Sequence, residues 1–346
     1  MRALLALLLF SGTLLSQSKG WDTTKYQKFR SSLIIGIFQS HRDFNNQFEQ
    51  TIMPDSAGIS KHNYYAESRE FTGLEIVYDK FTLAFSLKSN PKKDSEGKGN
   101  TKSYGFVFNY GSNRWMMENS FRSFKGFYDR NTVNYDSSFK ETGQYNYQPD
   151  FTNILFRSKF LYFTNHKKFS IKSGSTCNYR QVKTASTWIL SANVNYNYIY
   201  NDTSFFPLAT RKYYGDYAYM NSLGVFGLSL NAGAAVNVVW WRAFIMQVMF
   251  IVGPEQQWRK YSYSDGGSTR LSYISISGEI RGSIGLNFKK CYIMFFSRND
   301  FAWYYSSFVG ARNRSLGGGV ILGWRFNPKT PEFYKRFQKT KLYSYL

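Results

Sequence analysis

Residues 188–200 read WILSANVNYNYIY, and the period of that run constrains the fold more than any other feature of the chain. Trp188, Leu190, Ala192, Val194, Tyr196, Tyr198 and Tyr200 are apolar or aromatic, and Ser191, Asn193, Asn195 and Asn197 fall between them. A period of two places the two sets on opposite faces of a β-strand. In a soluble sandwich the apolar face would meet a core. In a membrane barrel it would meet lipid, with the Asn face toward the lumen. The same alternation recurs at 103–110, 226–238 and 274–288, and in a last strand with Leu316, Val320, Leu322, Trp324 and Phe326 on one side. In that strand Ser315, Gly317, Gly319, Gly323 and Arg325 lie opposite, and Ile321 is an apolar exception. Strands of soluble domains peak near about 5 to 6 residues. Uninterrupted alternation over about 9 to 11 residues or more is what a tilted transmembrane strand requires. The pattern therefore favours a barrel.

The N-terminus points the same way. Arg2 precedes the uncharged run ALLALLLF, and small and polar residues follow, ending in Ser16-Gln17-Ser18. This is the layout of a secretory signal, with cleavage expected after Ser18 and a mature chain from about Lys19. The run is too short to span a bilayer. No Cys follows it, which excludes a lipoprotein anchor. Aromatic residues make up 20% of the chain, with 28 Tyr and 32 Phe, enough to supply two interfacial girdles. Two cysteines, Cys177 and Cys291, make no disulfide framework and have no neighbours at metal-ligand spacing. The net charge of +22 suits anionic partners. An exported chain without a nucleic-acid motif points to lipid head groups, lipopolysaccharide phosphates or small anionic solutes rather than to nucleic acid.

A rival reading exists for 217–241, which carries no charge. Its polar residues Asn221, Ser229, Asn231 and Asn237 do not gather on one helical face, so the period of two prevails. Short turns are expected at Asp79-Lys80, Gly111-Ser112-Asn113, Asn165-His166-Lys167-Lys168, Trp240-Trp241 and Lys289-Lys290. Longer polar connections are expected at 43–58, 89–100, 129–148, 201–218 and 260–268. Short turns at one end and long loops at the other are the usual asymmetry of such barrels. The expectation is an all-β, transmembrane, antiparallel up-and-down barrel of about 12 strands. If 59–79 were two strands, the number would be about 14. The 201–218 loop falls out of phase with strict alternation if 182–186 is a turn. Residues 1–18 are read as signal, 19–326 as barrel and 327–346 as a basic periplasmic tail.

Chemistry has few candidates. The three histidines are His41, His62 and His166. His41, beside Ser40, Arg42 and Asp43, could serve a hydrolase or acyltransferase. His62 and His166 read as structural or turn residues. No His, Cys and Asp grouping suggests a metal, and no glycine-rich loop suggests a phosphate cofactor, so none is expected. Charges on the lumen face are more informative. Glu118, Arg157, Lys159, Glu279, Arg281, Arg298, Asp300 and Arg325 are expected to line the lumen, with Glu75, Arg122, Lys172 and Arg180 also inward. Arg or Lys on the lipid face would cost about 2 to 4 kcal/mol at mid-membrane. Two readings stand: a salt-bridge network filling a closed barrel, and a basic path for anions.

Four stretches carry a family resemblance. They are FTGLEIVYDKFTLAF at 71–85, Phe124-Lys125-Gly126-Phe127-Tyr128, Gln148-Pro149-Asp150 and Lys167-Lys168-Phe169-Ser170. In this order they resemble a Bacteroidota family of outer-membrane barrels catalogued only as a domain of unknown function, over roughly 30–326. That family commonly has Arg-Pro-Asp where this chain has Gln148-Pro149-Asp150. The resemblance implies fold and location and brings no activity. The expected role is non-enzymatic, in the outer membrane. It is either structural or docking within the envelope, or passage of small anionic solutes through a largely occluded basic lumen. A lipid-modifying enzyme using His41 is the alternative. Expected partners are outer-membrane lipid, lipopolysaccharide and the barrel-assembly machinery, with small anionic solutes under the transport reading.

Overall fold

The computed structural model describes residues 21–29, 32–50, 59–67, 70–89, 97–241, 243–304 and 309–345. The expected signal, residues 1–18, lies outside them. The strands, in chain order, are β1 Tyr26–Lys28, β2 Leu33–Gln50, β3 Lys61–Tyr65, β4 Glu70–Tyr78, β5 Phe81–Lys88, β6 Lys102–Gly111, β7 Trp115–Asp129 and β8 Asn146–Phe163. They continue with β9 Tyr179–Gln181, β10 Ala185–Tyr200, β11 Met220–Trp240, β12 Phe244–Tyr263, β13 Ser268–Asn287, β14 Cys291–Tyr304 and β15 Val309–Phe326. The tail forms two short helices, α1 Glu332–Gln338 and α2 Lys341–Tyr345.

Twelve strands close antiparallel in the order β2-β4-β5-β6-β7-β8-β10-β11-β12-β13-β14-β15, and β15 returns to β2 from Leu33↔Phe326 to Gln50↔Val309. The strand number is the twelve expected. Segment 59–79 is indeed divided, as the larger number required. Its two pieces, β3 and β4, descend in line beside β2, facing Asn45–Glu49 and Leu33–His41 respectively, so no barrel strand is added. The other side of β3 pairs directly with the end of β7, through Tyr64↔Asp129 and Tyr65↔Tyr128, because β4, β5 and β6 stop lower down. The outer third of the wall thus has ten strands: β2, β3, β7, β8 and β10–β15.

The alternation sets the faces as read. Trp188, Leu190, Leu230, Ile274, Ile276 and Phe295 are exposed on the outer wall, while Asn193, Asn231, Asn237 and Ser283 are buried inside. The ten residue steps of β11 from Leu228 to Val238 rise about 33 Å, or about 25 Å at the usual tilt, which is the height of a lipid-facing band. Aromatic residues flank it: Trp240, Trp324 and Phe326 below, Tyr196, Phe226 and Trp258 above. Two expected loops are shorter than read. Residues 43–50 continue β2, and β12 runs to Tyr263, leaving a tight turn before Ser268. Polar outward residues beyond the apolar band resemble loop in sequence, yet the ladder continues through them.

Buried apolar residues gather at the two ends of the lumen. One cluster, with Phe44, Phe48, Phe124, Phe127, Phe151 and Tyr261, lies at the long-loop end. Two more, around Phe163, Phe169 and Ile171 and around Phe38, Cys177 and Met294, lie at the end where the chain enters and leaves the barrel. Charged residues occupy the layer between.

Candidate functional site

The middle layer is built by register. Glu279 pairs with Asp300 and Arg281 with Arg298 across β13 and β14, and Glu118 pairs with Lys159 across β7 and β8. The two ladders face each other across the lumen, and their side chains meet. Arg157 Nη1 lies 2.7 Å from Asp300 Oδ1. Arg281 forks onto Glu118, with Nη1 2.6 Å from Oε1, and also contacts Glu279. Arg298 Nε is 2.8 Å from Glu279 Oε1 and 3.2 Å from Asp300 Oδ1, and Lys159 contacts Glu279 as well. Glu279, 1% exposed, therefore holds three cations. Arg157 Nε donates to Asn195 Oδ1 at 3.0 Å, and Asn195 Nδ2 donates to Glu255 Oε2 at 2.9 Å, which extends the network to β10 and β12. Buried charges are costly, and pairing of this kind offsets the cost.

Among the described residues, Arg122 and Arg42 at the edge of this layer are not neutralised. Arg122 Nη1 donates to Ser315 Oγ at 3.1 Å. Arg42 Nη1 approaches Ser86 Oγ at 3.4 Å and its guanidinium lies 4.8 Å from the centre of the Phe71 ring. Among the described residues neither has a carboxylate within ion-pair distance. With Arg298 they line a cavity of about 220 Å³ that also touches Glu75 and Asp300. Smaller spaces of about 60 and 160 Å³ flank Glu279 and Glu118.

The outer end is closed by residues 201–219, which turn back into the mouth. Phe205 and Phe206 are fully buried there, and Phe206 stacks on Tyr214 with ring centres 3.6 Å apart. The strands reach up to hold this cap. Tyr64 Oη donates to Phe205 O, and Gln148 Nε2 donates to the same carbonyl at 3.2 Å. Tyr214 Oη donates to Ser60 O at 2.7 Å. His62 lies between: Nδ1 is 2.5 Å from Asp129 Oδ2 and Nε2 is 3.0 Å from Thr210 Oγ1. Asp129 also accepts from the backbone N–H groups of Asn63 and Asn131 at 2.9 Å and from Tyr135 Oη at 3.0 Å. Burial, then the Asp129 carboxylate, pushes the Tyr135 and Tyr214 phenols above their ordinary range. Asp129 faces inward because a bulge at Gly126, φ 88°, shifts the register between Lys125 and Phe127.

The inner end is closed by residues 165–184 and the N-terminal segment, which pair as β1 and β9. Lumen-facing amides capture the carbonyls of this plug. Asn237 Nδ2 donates to Ser170 O at 2.8 Å, Gln247 Nε2 to Ile171 O at 3.1 Å, and Asn287 Nδ2 to Ser173 O and Tyr179 O at 3.0 Å. Lys172 Nζ donates to Gly111 O at 2.6 Å. Outside, Tyr334 and Tyr343 of the tail donate to Asp79 Oδ2 at 2.9 and 2.5 Å.

Seven of the eight expected lumen charges, Glu118, Arg157, Lys159, Glu279, Arg281, Arg298 and Asp300, meet in one network. Arg325 is the exception. It faces inward but binds the carbonyls of Cys177, Phe288 and Lys289 and the Asn287 side chain, because it lies at the plug rather than in the charged layer. Lys172 and Arg180 belong to the plug and not to barrel strands, and Asn165–Lys168 leads into that plug rather than into another strand. His41 and Ser40 face opposite sides of β2. His41 is exposed with Asp43 at 3.7 Å, and Ser40 is buried inside, so they form no dyad. Arg42, Glu255 and the His62–Asp129–Thr210 contact were not anticipated. Arg42 was noted only as a neighbour of His41, just before a stretch read as loop, and the other contact joins residues 148 positions apart. Among the described residues no group of His, Cys, Asp and Glu could hold a metal ion.

Closed antiparallel strands, an apolar outer wall and a charged interior define a β-barrel of the transmembrane type. A family model described as Domain of unknown function (DUF4421) matches residues 21–302, and the chain belongs to that family. Similar solved structures include the outer membrane protease OmpT of Escherichia coli, 6% identical over 87% of this chain and 98% of that one, with a TM-score of 0.36. Others are the toluene transporter TodX of Pseudomonas putida (8% identity, 86% and 90% coverage, TM-score 0.29) and an outer membrane channel of Pseudomonas putida F1 (11%, 86% and 96%, 0.31). No curated protein matches the chain.

Proposed function

We propose that this protein is an integral outer-membrane barrel of non-enzymatic role, closed at rest, that serves as a structural or docking element of the envelope. The observation that carries this reading is the double closure. A cap and a plug, each hydrogen-bonded to the wall, seal a lumen whose middle layer is already crossed by ion pairs. The test is a planar-bilayer recording of the purified, refolded protein. Steady openings of the unmodified protein under modest voltage would overturn it; a silent bilayer from protein verified as folded supports it.

A second reading, passage of small anionic solutes, is favoured by Arg42 and Arg122 beside Arg298. Deleting 203–216 from the cap together with 170–180 from the plug should then yield openings that prefer anions. Replacing Arg42 and Arg122 with Ser in that background should weaken the preference. Cation preference would remove this reading.

A further inference from the structure

The outer wall carries a groove of about 660 Å³ across β10–β13, at the rim opposite the termini. Tyr198, Phe226 and Trp258 form its aromatic side. Gly224 opens it: in register it stands between Tyr198 and Lys260, so the row lacks a side chain there. A Cβ at Gly224 would meet only Tyr198 Cδ2, at 3.6 Å, so the gap is real space. Lys260 and Arg270 are direct cross-strand partners, exposed on this same face. Among the described residues neither contacts a carboxylate. Like charges directly opposite each other repel, and an anion between them relieves the repulsion. The groove also straddles a boundary. Ile274, 78% exposed, belongs to the apolar band, and the next outward residues along β13 are Ser272 and Arg270. Cations just above an aromatic girdle lie at the height of lipid phosphates.

We propose that this groove binds a phosphorylated glycolipid of the surface leaflet, with one phosphate between Lys260 and Arg270 and an acyl chain along Tyr198, Phe226 and Trp258. Width favours a glycolipid with several acyl chains over a two-chain phospholipid, because four strands at about 4.8 Å spacing present a face about 14 Å across. The inference rests on the outer-membrane reading above. Detergent binding tests the groove, whereas fractionation of the unmodified protein tests the location, so the two failures are separable.

The experiment uses the whole protein, refolded in detergent, with native mass spectrometry as the readout. Probes are bisphosphorylated lipid A, its dephosphorylated form and phosphatidylglycerol. Bisphosphorylated lipid A should bind at least about tenfold more tightly than either control, as expected for charge-assisted phosphate contacts. K260Q/R270Q should abolish that preference. Gly224→Leu should weaken binding while leaving both cations in place, which keeps the idea testable if the double variant fails to fold. Equal binding of phosphatidylglycerol, equal binding of dephosphorylated lipid A, or undiminished binding by folded K260Q/R270Q would each overturn the proposal.

Discussion

Glu279 is the residue on which the lumen depends. It contacts Lys159, Arg281 and Arg298 and is 1% exposed, so removing its charge takes the carboxylate from the buried Lys159 and leaves Arg281 and Arg298 with only Glu118 and Asp300. Breaking a buried pair from one side costs about 3 to 5 kcal/mol. Glu279→Gln is expected to destabilise the refolded barrel by that order, measured as a lowered urea midpoint in detergent. Glu332→Gln, at the exposed Lys335–Glu332 pair of the tail, should change stability by less than about 1 kcal/mol. An equal effect of the two substitutions would contradict the hub role. Much of this layer was legible in sequence, because Glu279 and Arg281, like Arg298 and Asp300, are two apart and must share a face. Arg42 was not. Around it the outward positions His41 and Asp43 are polar, so the apolar alternation that marks a strand has already faded although pairing with β15 continues.

At the scale of elements, the two closures are where the family-like stretches fall. Gly126 makes the bulge, Gln148 holds Phe205, Asp79 anchors the tail, and Phe169 and Ser170 sit in the plug. None of this was readable from periodicity. A segment that turns back into a lumen has no repeating face; its only trace was the phase conflict between 182–186 and 201–218. Valine at Gly126 would need φ 88° and would place a Cβ 2.5 Å from Tyr147 Oη and 2.8 Å from Asn100 O. Gly126→Val should therefore free the cap. New protease cleavage within 201–219, absent from the unmodified protein, is the expected signal. His62→Ala should act on the same loop, because it removes the bridge from Asp129 to Thr210 and leaves a buried carboxylate short of a partner. Resistance of both variants to protease would show that the cap does not depend on these contacts.

For the whole molecule, alternation fixed which side of each strand meets the surroundings, and labelling can check it. Cysteines replacing Leu190 or Ile280 should react with a membrane-embedded reagent, while cysteines replacing Asn193 or Ser283 should not. The reverse pattern would mean a register one residue out. Net charge was harder to place. The total of +22 does not say how the charge divides between lumen and exterior, and many of the lysines lie outside the lumen, at Lys80, Lys167, Lys168, Lys289 and Lys290 and on the tail. Composition reports a sum, and only the fold says which surface carries it.

The step in the wall, where β3 passes over the ends of β4–β6 to reach β7, also sets an order of events. Its pairing joins Tyr64 to Asp129, so the loop it closes contains three complete strands. Those strands must already be stacked beneath before the two edges can meet, and the entropy of that closure is recovered only at the end. Refolding followed by pulsed hydrogen exchange should therefore find the amides of Tyr64 and Tyr65 protected after those of β4, β5 and β6. Early protection there would mean that the upper ring forms first and the short strands thread in afterwards. On the expected order, β3 is the last stitch: a chain stalled before it would have a complete lower wall and an open shoulder, with Phe48, Phe151 and Phe205 still uncovered.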